Sequence, residues 1–418
     1  MSTATASRTM MMLEAVHDAL DVALGLDPEV FELGEDIQDP KGGGFGVHKG
    51  LEAKYGSERV RCTPISEQAI MGAAIGAAMA GMRPVAEIML MNFISVAADQ
   101  LFNHAAKLRY MSGGATPPIP PLTVRTTTGA GAGFGAQHSE MLEATLIHTP
   151  GLKVAIPSTA ADAKGLLLSA IFDDDPVVIV EMSSLYFGVR DEVPEGDYRV
   201  PLGKARIARE GTDLTLITYG RQVLDCIAEA EKKLAAEGYS IEVVDLRTLQ
   251  PLDTDTVFTS VAKTRRAVVV HEAVTRGGFG AELSAQIHSE LFGELAAPVS
   301  RVGGRQHPGS LCFFARTELL AHQPDRAGNP GTAELTEGEH TLMAHEVRIP
   351  KLGVAVEQGQ ITEWLCADGD TVEAGQAIYV LATDKTETEI ESPVAGQITI
   401  IGEVDEDYPV GTVVATIH

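Results

Sequence analysis

Cysteine is scarce in this chain, and the residues present form no motif. The four cysteines, Cys62, Cys226, Cys312 and Cys366, lie far apart and make no C-x-x-C pair. This spacing argues against a disulfide-stabilised scaffold and against a cysteine zinc site. It suits a reducing compartment, so we expect the protein in the cytoplasm.

Positive charge is also in short supply. The chain has 32 Lys and Arg against 58 Asp and Glu, which gives a formal net charge of -26. A protein this acidic repels the phosphates of nucleic acids and the headgroups of anionic lipids. Neither nucleic acid nor a membrane surface is therefore expected as a main partner.

Long apolar runs are absent as well. The most apolar stretch, AIMGAAIGAAMAGM at 69–82, is bounded by Glu67 and Arg83. A bilayer crossing needs about 20 apolar residues, so this stretch is predicted to be a helix buried in protein. The first residues have no basic region followed by an apolar core, and no secretory signal peptide is expected.

Helical and strand-like runs alternate along most of the chain. The helical pattern of EAVHDALDVAL is followed by the strand VFELGED, the apolar helix, the strand PVAEIMLM and the helix SVAADQLFNHAAKLRYM. Such alternation predicts a parallel sheet covered by helices on both faces. Turn-forming and charged residues at 191–203 separate this first domain, 8–190, from a second α/β domain, 200–321.

The composition changes again after the second domain. Residues 322–343 are rich in Pro, Gly and Glu and lack apolar periodicity, which predicts a linker. From 345 to 418, short strands separated by Gly and Asp turns predict a small all-β domain. Two similar stretches within it, VEAGQAIYV and PVAGQITII, predict two similar halves that face each other.

One lysine of this β domain lies between two strand-like segments. The alternation at 378–382 and at 386–390 predicts a hairpin with Lys385 at or next to its tip. A lone surface lysine is ordinarily just solvated, but an all-β domain behind a linker, with Asp384 and Thr386 flanking the lysine, resembles a lipoyl domain. The resemblance implies a biotinyl/lipoyl-like barrel and covalent lipoate on Lys385. Biotin-carrying relatives place their lysine between methionines.

The larger part of the chain resembles the β subunit of thiamine-diphosphate-dependent 2-oxoacid dehydrogenases, the E1β component. The block TPISEQAIMGAAIGAAMAGMRPVAEIMLMNFIS carries the resemblance, with FELGED, GAQHSE, VVDLRTLQPLD and HEAVTRGGFGAE. It extends over about residues 8–320. It implies a transketolase-like pyrimidine-binding domain followed by a transketolase C-terminal-like α/β domain.

The chemistry of Glu67 can be argued directly. Thiamine diphosphate must lose the proton on its thiazolium C2, and a carboxylate bonded to the aminopyrimidine favours the imino tautomer that takes this proton. Glu67 follows TPIS and opens the apolar helix, so we expect it at a rigid strand-to-helix junction. A glutamate in the first turn of a helix is also ordinary, because the helix dipole favours it. The resemblance implies the catalytic role.

Further site residues come from the resemblance alone. It implies that His138 faces the thiazolium and assists proton transfer or acylation of the lipoyl dithiolane, and that Phe93 packs on the pyrimidine. The plain alternatives are a structural loop histidine and a core aromatic residue. Many relatives carry a glutamine where this chain has Val96. His271 and Glu272 are expected to be structural or interfacial.

A potassium ion is a further implication of the resemblance. Some relatives hold potassium through backbone oxygens near the helix end SAIFDDDP. The matching positions in this chain are Leu122, Ala170, Ile171, Asp173 and Asp175.

The motif that binds Mg²⁺ and diphosphate in this enzyme class is missing from the sequence. No GDG followed about 25 residues later by an NN-type pair is found, and ADGDTV lies in the β domain. The resemblance therefore implies an α subunit that supplies Mg²⁺ and diphosphate binding in an α2β2 heterotetramer. The helix that presents Gly72, Gly76 and Ala80 on one face would allow close packing there.

Several functions remain open from the sequence. The leading hypothesis is an E1β that decarboxylates a 2-oxoacid and acylates a lipoyl group on its own β domain. Pyruvate is the leading candidate substrate. An acetoin dehydrogenase β subunit, or transfer of a two-carbon unit to an acyl carrier protein, would use the same cofactor. A non-catalytic lipoyl carrier or scaffold subunit is the third hypothesis. The final acyl acceptor, an E2 acyltransferase or an acyl carrier protein, is left open.

Overall fold

A computed structural model describes most of the chain. The described residues are 6–114, 121–129, 134–187, 189–235, 238–304, 345–349, 358–373, 375–382, 387–409 and 411–417. The chain divides into two compact units, Met1–Pro324 and Asp325–His418. The predicted linker at 322–343, the end of the second α/β domain and Lys385 lie outside the described residues.

The first domain of the N-terminal unit alternates strands with helices. Its strands are β1 (Ser7–Met11), β2 (Val30–Glu35), β3 (Val60–Thr63), β4 (Arg83–Leu90), β5 (Thr123–Thr128), β6 (Lys153–Ala155), β7 (Val177–Met182) and β8 (Arg190–Pro194). Its helices are α1 (Met12–Leu26), α2 (Leu51–Tyr55), α3 (Glu67–Met79), α4 (Ile94–Ala98), α5 (Leu108–Met111), α6 (Glu143–Ile147), α7 (Ala160–Ile171) and α8 (Ser183–Tyr186). Every residue of β2 and of β7 is buried, as expected for strands covered on both faces.

The second domain follows the same pattern. Its strands are β9 (Arg206–Arg209), β10 (Leu214–Thr218), β11 (Ile241–Asp245), β12 (Thr248–Gln250), β13 (Ala267–Val274) and β14 (Ser300–Gly304). Its helices are α9 (Arg221–Glu229), α10 (Thr254–Thr264) and α11 (Phe279–Glu290). The five-stranded sheet has the order β14-β13-β10-β11-β9.

The expectation of purely parallel sheets is wrong at two edges. In the seven-stranded sheet, ordered β12-β6-β7-β5-β4-β2-β3, strand β12 runs antiparallel to β6. In the second sheet, β9 runs antiparallel to β11. Strand β12 comes from the second domain's sequence but completes the edge of the first domain's sheet. Strand β6 would otherwise expose unpaired backbone groups at the edge of the sheet, and β12 pairs with them. Because β12 lies far along the chain, the sequence around β6 gives no sign of this pairing.

Two local expectations were also too simple. The helix predicted at 95–111 is interrupted, because a π-helical segment, Asp99–Ala105, separates α4 from α5. The turn-rich stretch at 191–203 begins inside a strand, since β8 pairs antiparallel with β1. This pair joins the start of the first domain to its end.

The C-terminal unit is all-β, as predicted. Its strands are β15 (His345–Arg348), β16 (Gln358–Trp364), β17 (Thr371–Val372), β18 (Ala377–Ala382), β19 (Glu387–Glu391), β20 (Gly396–Ile400), β21 (Asp407–Pro409) and β22 (Val413–Ile417). They form two four-stranded sheets, β15-β22-β20-β17 and β19-β18-β16-β21. The two similar sequence stretches supply β18 and β20, one to each sheet, and Ile378 and Ile398 are both fully buried in the shared core. The predicted pair of halves is confirmed.

None of the helices in the described part of the chain combines the length and apolarity that a bilayer crossing requires.

Candidate active site

The predicted catalytic residues follow strands that end at one edge of the seven-stranded sheet. Strands β3, β2, β4 and β5 are neighbours and run parallel. Glu67 comes after β3, Phe93 after β4 and His138 after β5. Because parallel strands have their carboxyl ends at the same edge, the three residues lie along that edge, which is the usual position of ligand sites in open α/β sheets.

Glu67 is the first residue of α3 and is 7% exposed. The strand β3 ends before Pro64, which cannot donate a ladder hydrogen bond, and the helix starts three residues later. The remainder of α3 is almost entirely Ala, Gly, Ile and Met, so Glu67 is its one charged residue. The predicted strand-to-helix junction and the burial of this carboxylate are confirmed. Its catalytic role stays a prediction.

A second buried carboxylate, Glu35, faces Glu67. Glu35 ends β2 and is 8% exposed. Burial raises the pKa of Glu35, and the nearby charge of Glu67 raises it further, whereas a backbone hydrogen bond from Ser66 opposes the shift. Within the described residues, its Oε1 has no hydrogen-bond partner. The sequence reasoning did not single out Glu35; an acid at the carboxyl end of a buried strand is the signal that could have found it.

Phe93 and His138 are brought into contact. The two rings meet edge-to-face, with centroids 5.4 Å apart and an interplanar angle of 77°. Phe93 ends a short 3₁₀ turn after β4, and His138 ends another after β5. Both side chains are half-buried, so they have one face left for a ligand.

The segment that carries His138 is fixed by several hydrogen bonds. Its carbonyl oxygen accepts from the backbone N–H of Gly129 at 3.0 Å. The Asn92 amide donates to Glu140 Oε2 at 2.7 Å, and the Thr128 hydroxyl donates to the Glu140 carbonyl at 3.3 Å. These contacts attach the loop to both β5 and the turn that bears Phe93. The backbone position of His138 is therefore set by the scaffold.

Gly129 explains part of the glycine-rich sequence. A β-carbon at this position would overlap the carbonyl oxygen of His138 and the ring of Phe134. Gly135 has a φ of +80°, which favours glycine. Glycine is thus needed at 129 for close packing of the loop on itself and at 135 for the backbone conformation, and the other glycines of the run lie outside the described residues.

The positions assigned to potassium do not fit a bound cation. The Arg83 guanidinium donates to the carbonyls of Ile171 and Asp173 at 3.3 and 3.2 Å. Backbone N–H groups bond to the carbonyls of Leu122 and Ala170 at 2.9 and 3.1 Å. Lys153 pairs with both predicted carboxylates, Asp173 and Asp175, and Arg109 pairs with Asp175. The oxygens are thus already bonded, and three cationic side chains occupy the space around them.

His271 and Glu272 lie in β13 of the second domain. Burial lowers the pKa of His271 to about 4, so the ring is neutral, and its Nδ1 lies 2.9 Å from the Ala273 carbonyl. Burial raises the pKa of Glu272 to about 7, and the Gln222 amide donates to it at 3.1 Å. Neither follows a strand of the edge that carries Glu67.

Lys385 lies outside the described residues, but the strands beside it are described. Strands β18 and β19 pair antiparallel, and Ala382 is opposite Glu387. The predicted pairing of the two strands is confirmed. The attachment of lipoate stays a prediction.

Models of three protein families match the chain. The transketolase pyrimidine binding domain matches residues 8–188, and the transketolase C-terminal domain matches 203–320. A family described as biotin-requiring enzyme matches residues 345–417. The three matches follow the order of domains expected from the sequence.

Curated relatives match most of the N-terminal unit's length. The β subunit of acetoin:2,6-dichlorophenolindophenol oxidoreductase from Cupriavidus necator is 48% identical over 305 residues, covering 71% of this chain and 89% of that protein. The pyruvate dehydrogenase E1 component subunit β of Staphylococcus epidermidis is 45% identical, with 70% and 89% covered. The mitochondrial 2-oxoisovalerate dehydrogenase subunit β of Dictyostelium discoideum is 46% identical, with 73% and 81% covered.

A solved structure has the same fold. It is described as a split gene transketolase, an inactive β4 tetramer, and matches with a TM-score of 0.58 and 26% identity over 74% of this chain and 93% of that one. Together with the relatives and the three domain matches, this shows that the chain belongs to the β subunits of thiamine-diphosphate-dependent 2-oxoacid dehydrogenases, the E1β family, and that it carries a biotin/lipoyl-type domain after the two transketolase-like domains.

Proposed function

We propose that this chain works with an α subunit to decarboxylate a 2-oxoacid and to acylate a lipoyl group carried on its own β domain. Pyruvate is the leading candidate for the 2-oxoacid. One observation carries the proposal. The buried carboxylate of Glu67 and the ring pair of Phe93 and His138 lie along one sheet edge. This edge offers a proton acceptor, an apolar ring face and an imidazole together.

The residues at this edge fit the aminopyrimidine half of thiamine diphosphate. Glu35 Oε1 and Thr63 Oγ1 are buried polar atoms without a partner in the described part of the chain. An aminopyrimidine has N–H donors and ring-nitrogen acceptors that such groups can satisfy, and Phe93 offers an apolar surface for the ring. When bound, thiamine diphosphate supplies a thiazolium that stabilises the negative charge left by decarboxylation.

Glu67 and His138 have separate tasks in the proposal. Glu67 is fixed at the start of α3 and shielded from water, so it can hold a proton shared with the pyrimidine through a defined hydrogen bond. His138 remains partly exposed, so it can reach the substrate and the acyl acceptor. An imidazole can donate at one nitrogen and accept at the other, which suits it to proton transfer during acylation.

The β domain supplies the acyl acceptor through lipoate on Lys385. The substrate loses CO₂, and the remaining acyl carbon forms a thioester with one sulfur of the dithiolane while the S–S bond breaks. The second sulfur takes a proton. The disulfide is thereby reduced by two electrons as the acyl carbon is oxidised. The predicted linker at 322–343 would tether the arm to its own enzyme at an effective concentration on the order of millimolar.

An α subunit is needed to complete the site. Helix α3 supports this, because it presents exposed Gln68, Ala73, Gly76, Met79 and Ala80 on one side. A β-carbon at Gly76 would meet nothing within 4 Å, so a partner helix could approach closely here. We propose that the α subunit packs on this face, in an α2β2 assembly, and brings the Mg²⁺ and diphosphate site. An E2 acyltransferase or an acyl carrier protein would then receive the acyl group. The free thiols of Cys62, Cys226 and Cys366 support a cytoplasmic location.

The test uses the complex purified with its α subunit. Pyruvate is added without other acceptors, and the intact mass of the β chain is measured. We expect lipoylation, followed by an acetyl adduct on the lipoyl group. Lys385→Arg should lose both, and Glu67→Gln should keep lipoylation but lose the adduct. A complex whose Glu67→Gln variant acetylates at the normal rate would contradict the catalytic proposal and favour the carrier hypothesis.

Acetoin is the second candidate substrate. The observation in its favour is the 48% identity to the acetoin:2,6-dichlorophenolindophenol oxidoreductase subunit. Acetoin, pyruvate and branched 2-oxoacids should be compared by the same mass assay and by dichlorophenolindophenol reduction. Release of acetaldehyde with acetoin, and no CO₂ with pyruvate, would assign the chain to acetoin cleavage.

A further inference from the structure

A buried cluster of charged side chains lies beneath the candidate site. At its centre is His48, which is 1% exposed. Its Nδ1 bonds to the carboxylate of Glu32, which is fully buried, and its Nε2 lies 2.8 Å from Glu87 Oε2. Burial lowers the pKa of His48, but the two carboxylates outweigh it and raise the pKa to about 9. The ring is therefore a cation at neutral pH.

Arg125 completes the cluster. It donates to both oxygens of Glu181 at 2.8 Å and to Glu87 Oε2 at 2.9 Å, and the Tyr186 hydroxyl also donates to Glu181. Arg125 Nη1 also lies 3.1 Å from His48 Nε2, so the guanidinium, the imidazole and one oxygen of Glu87 meet at a single point. Burial alone would raise the pKa of Glu87, but the two cations lower it to about 2. Glu87 is held as an anion.

Glu87 lies on β4, beside the end of the strand that carries Glu35. A β-carbon added to Gly34 would be 3.0 Å from the Glu87 Cβ, and Glu35 is the next residue along β2. The charge of Glu87 is one of those that raise the pKa of Glu35, after burial, Glu67 and Asp36. The charge of Glu87 is therefore felt at Glu35.

His48 reaches the cluster from a loop. The loop folds back on the end of β2 through hydrogen bonds from Gly43 N to Asp36 O and from His48 N to Gly42 O, both 2.8 Å. Phe45 of the same loop packs against Tyr186 and Phe134, with centroids 5.3 and 6.0 Å away. The loop thus joins the charged cluster to the segment that leads to His138.

We propose that His48 is a positioning residue for the Glu35–Glu67 pair: its ring holds Glu87 against Arg125 and so fixes the charge that the pair faces. This inference depends on the proposed function, because it assigns Glu67 a proton. His48 and Arg125 both offset the anion of Glu87, so Glu35 faces a weaker negative charge than it would beside an unbalanced carboxylate. The titratable and charged groups around His48 and around the pair are Glu32, Glu87, Arg125, Glu181, Tyr186, Asp36 and Lys41.

The test measures protons exchanged when thiamine diphosphate binds. Calorimetric titrations of the complex with its α subunit, in buffers of different ionisation enthalpy, give the number of protons taken up at each pH. His48→Gln removes a cation, so the midpoint of this proton uptake should move to higher pH, by on the order of one pH unit. Glu87→Gln removes an anion and should move the midpoint to lower pH.

Opposite shifts separate this role from a merely structural one, because general loosening of the site would not change sign between the two variants. His17→Gln is the matched control: His17 Nδ1 bonds to the Val47 carbonyl at 2.7 Å and so holds the same loop without touching the carboxylate cluster. It should leave the midpoint unchanged. Glu87→Gln tests the same charge if His48→Gln does not fold.

Shifts in the same direction for His48→Gln and Glu87→Gln, or no shift in either, would overturn the inference. Failure of the proposed function has a different signature. In that case Glu67→Gln would retain both the proton uptake and the acetylation of the lipoyl group. If Glu67→Gln loses both while the cluster variants leave the midpoint in place, the proposed function survives and the role of His48 does not.

Discussion

The imidazole of His138 meets the phenyl ring of Phe93 edge-on, with centroids 5.4 Å apart and ring planes at 77°. The two residues are far apart in sequence and follow neighbouring strands, β5 and β4. Their contact ties the orientation of the proposed proton-transfer group to that of the proposed pyrimidine-packing group. A change in one should therefore be detected in the function of the other.

Phe93→Leu should slow acetylation of the lipoyl group by about two- to tenfold. An edge-to-face pair is worth about 0.5–1.5 kcal/mol beyond the apolar area that it buries, and leucine keeps only the area. The rate is measured by quenched-flow mass spectrometry. Phe258→Leu makes the same change at a half-buried position of α10 in the second domain and should not alter the rate. Equal effects in the two variants would show that the ring contact is unimportant.

Gly129→Ala should disable the site while leaving the fold intact. The new methyl would overlap the His138 carbonyl, so the loop must move, and misplacement of a catalytic group by about 1 Å costs about 10²-fold in rate. Turnover and thermal unfolding are measured together. Ser139→Ala removes a hydroxyl that donates to the Gly129 carbonyl at 3.3 Å and should cost about twofold. Normal turnover in Gly129→Ala would mean that the loop does not position His138.

The α/β organisation, the all-β unit and the burial of Glu67 could all be predicted from the sequence, because each depends on a local pattern of apolar and polar residues. His48 could not be found in this way, and the local pattern marks Glu35 only as an acid at the end of a buried strand. Glu35 becomes notable only when β2 and β3 are neighbours and Glu67 faces it. His48 is an ordinary loop histidine until the fold surrounds it with Glu32 and Glu87.

The placement of β12 shows the same limit at the level of the fold. Its sequence predicts a strand of the second domain, yet it pairs with β6 of the first. A strand's own sequence does not state which sheet edge it completes. The positions matched to potassium show a similar limit, because their sequence does not reveal that Arg83 and Lys153 contact their oxygens from other elements.

Glu272→Gln should stabilise the protein at alkaline pH. Burial raises the pKa of Glu272 to about 7, so the folded state holds this proton more tightly than the unfolded state, and stability falls as the pH rises from the ordinary glutamate value towards 7. The loss amounts to about 3 kcal/mol at pH 8 and is small at pH 5. Chemical unfolding at both pH values measures it. Glu290→Gln, at an exposed position of α11, should show no such difference. If Glu272→Gln gained the same free energy of unfolding at both pH values, stability would not depend on the protonation of Glu272.

Leu381→Ala should destabilise the C-terminal unit and leave the N-terminal unit unaffected. Leu381 is fully buried in the core that the two four-stranded sheets share, and removing such a side chain costs about 2–5 kcal/mol. A small domain has little stability to spare. Calorimetry should therefore show one transition at a lower temperature and one unchanged. Leu365→Ala, at a position that is 40% exposed, is the control and should change neither transition.

In the functional assay, the Leu381→Ala complex should lose acetylation of its own β domain but still acetylate an intact lipoyl domain added in solution. If both transitions moved together, the two units would not be thermodynamically separate, and the proposal of a separate carrier domain would have to be abandoned.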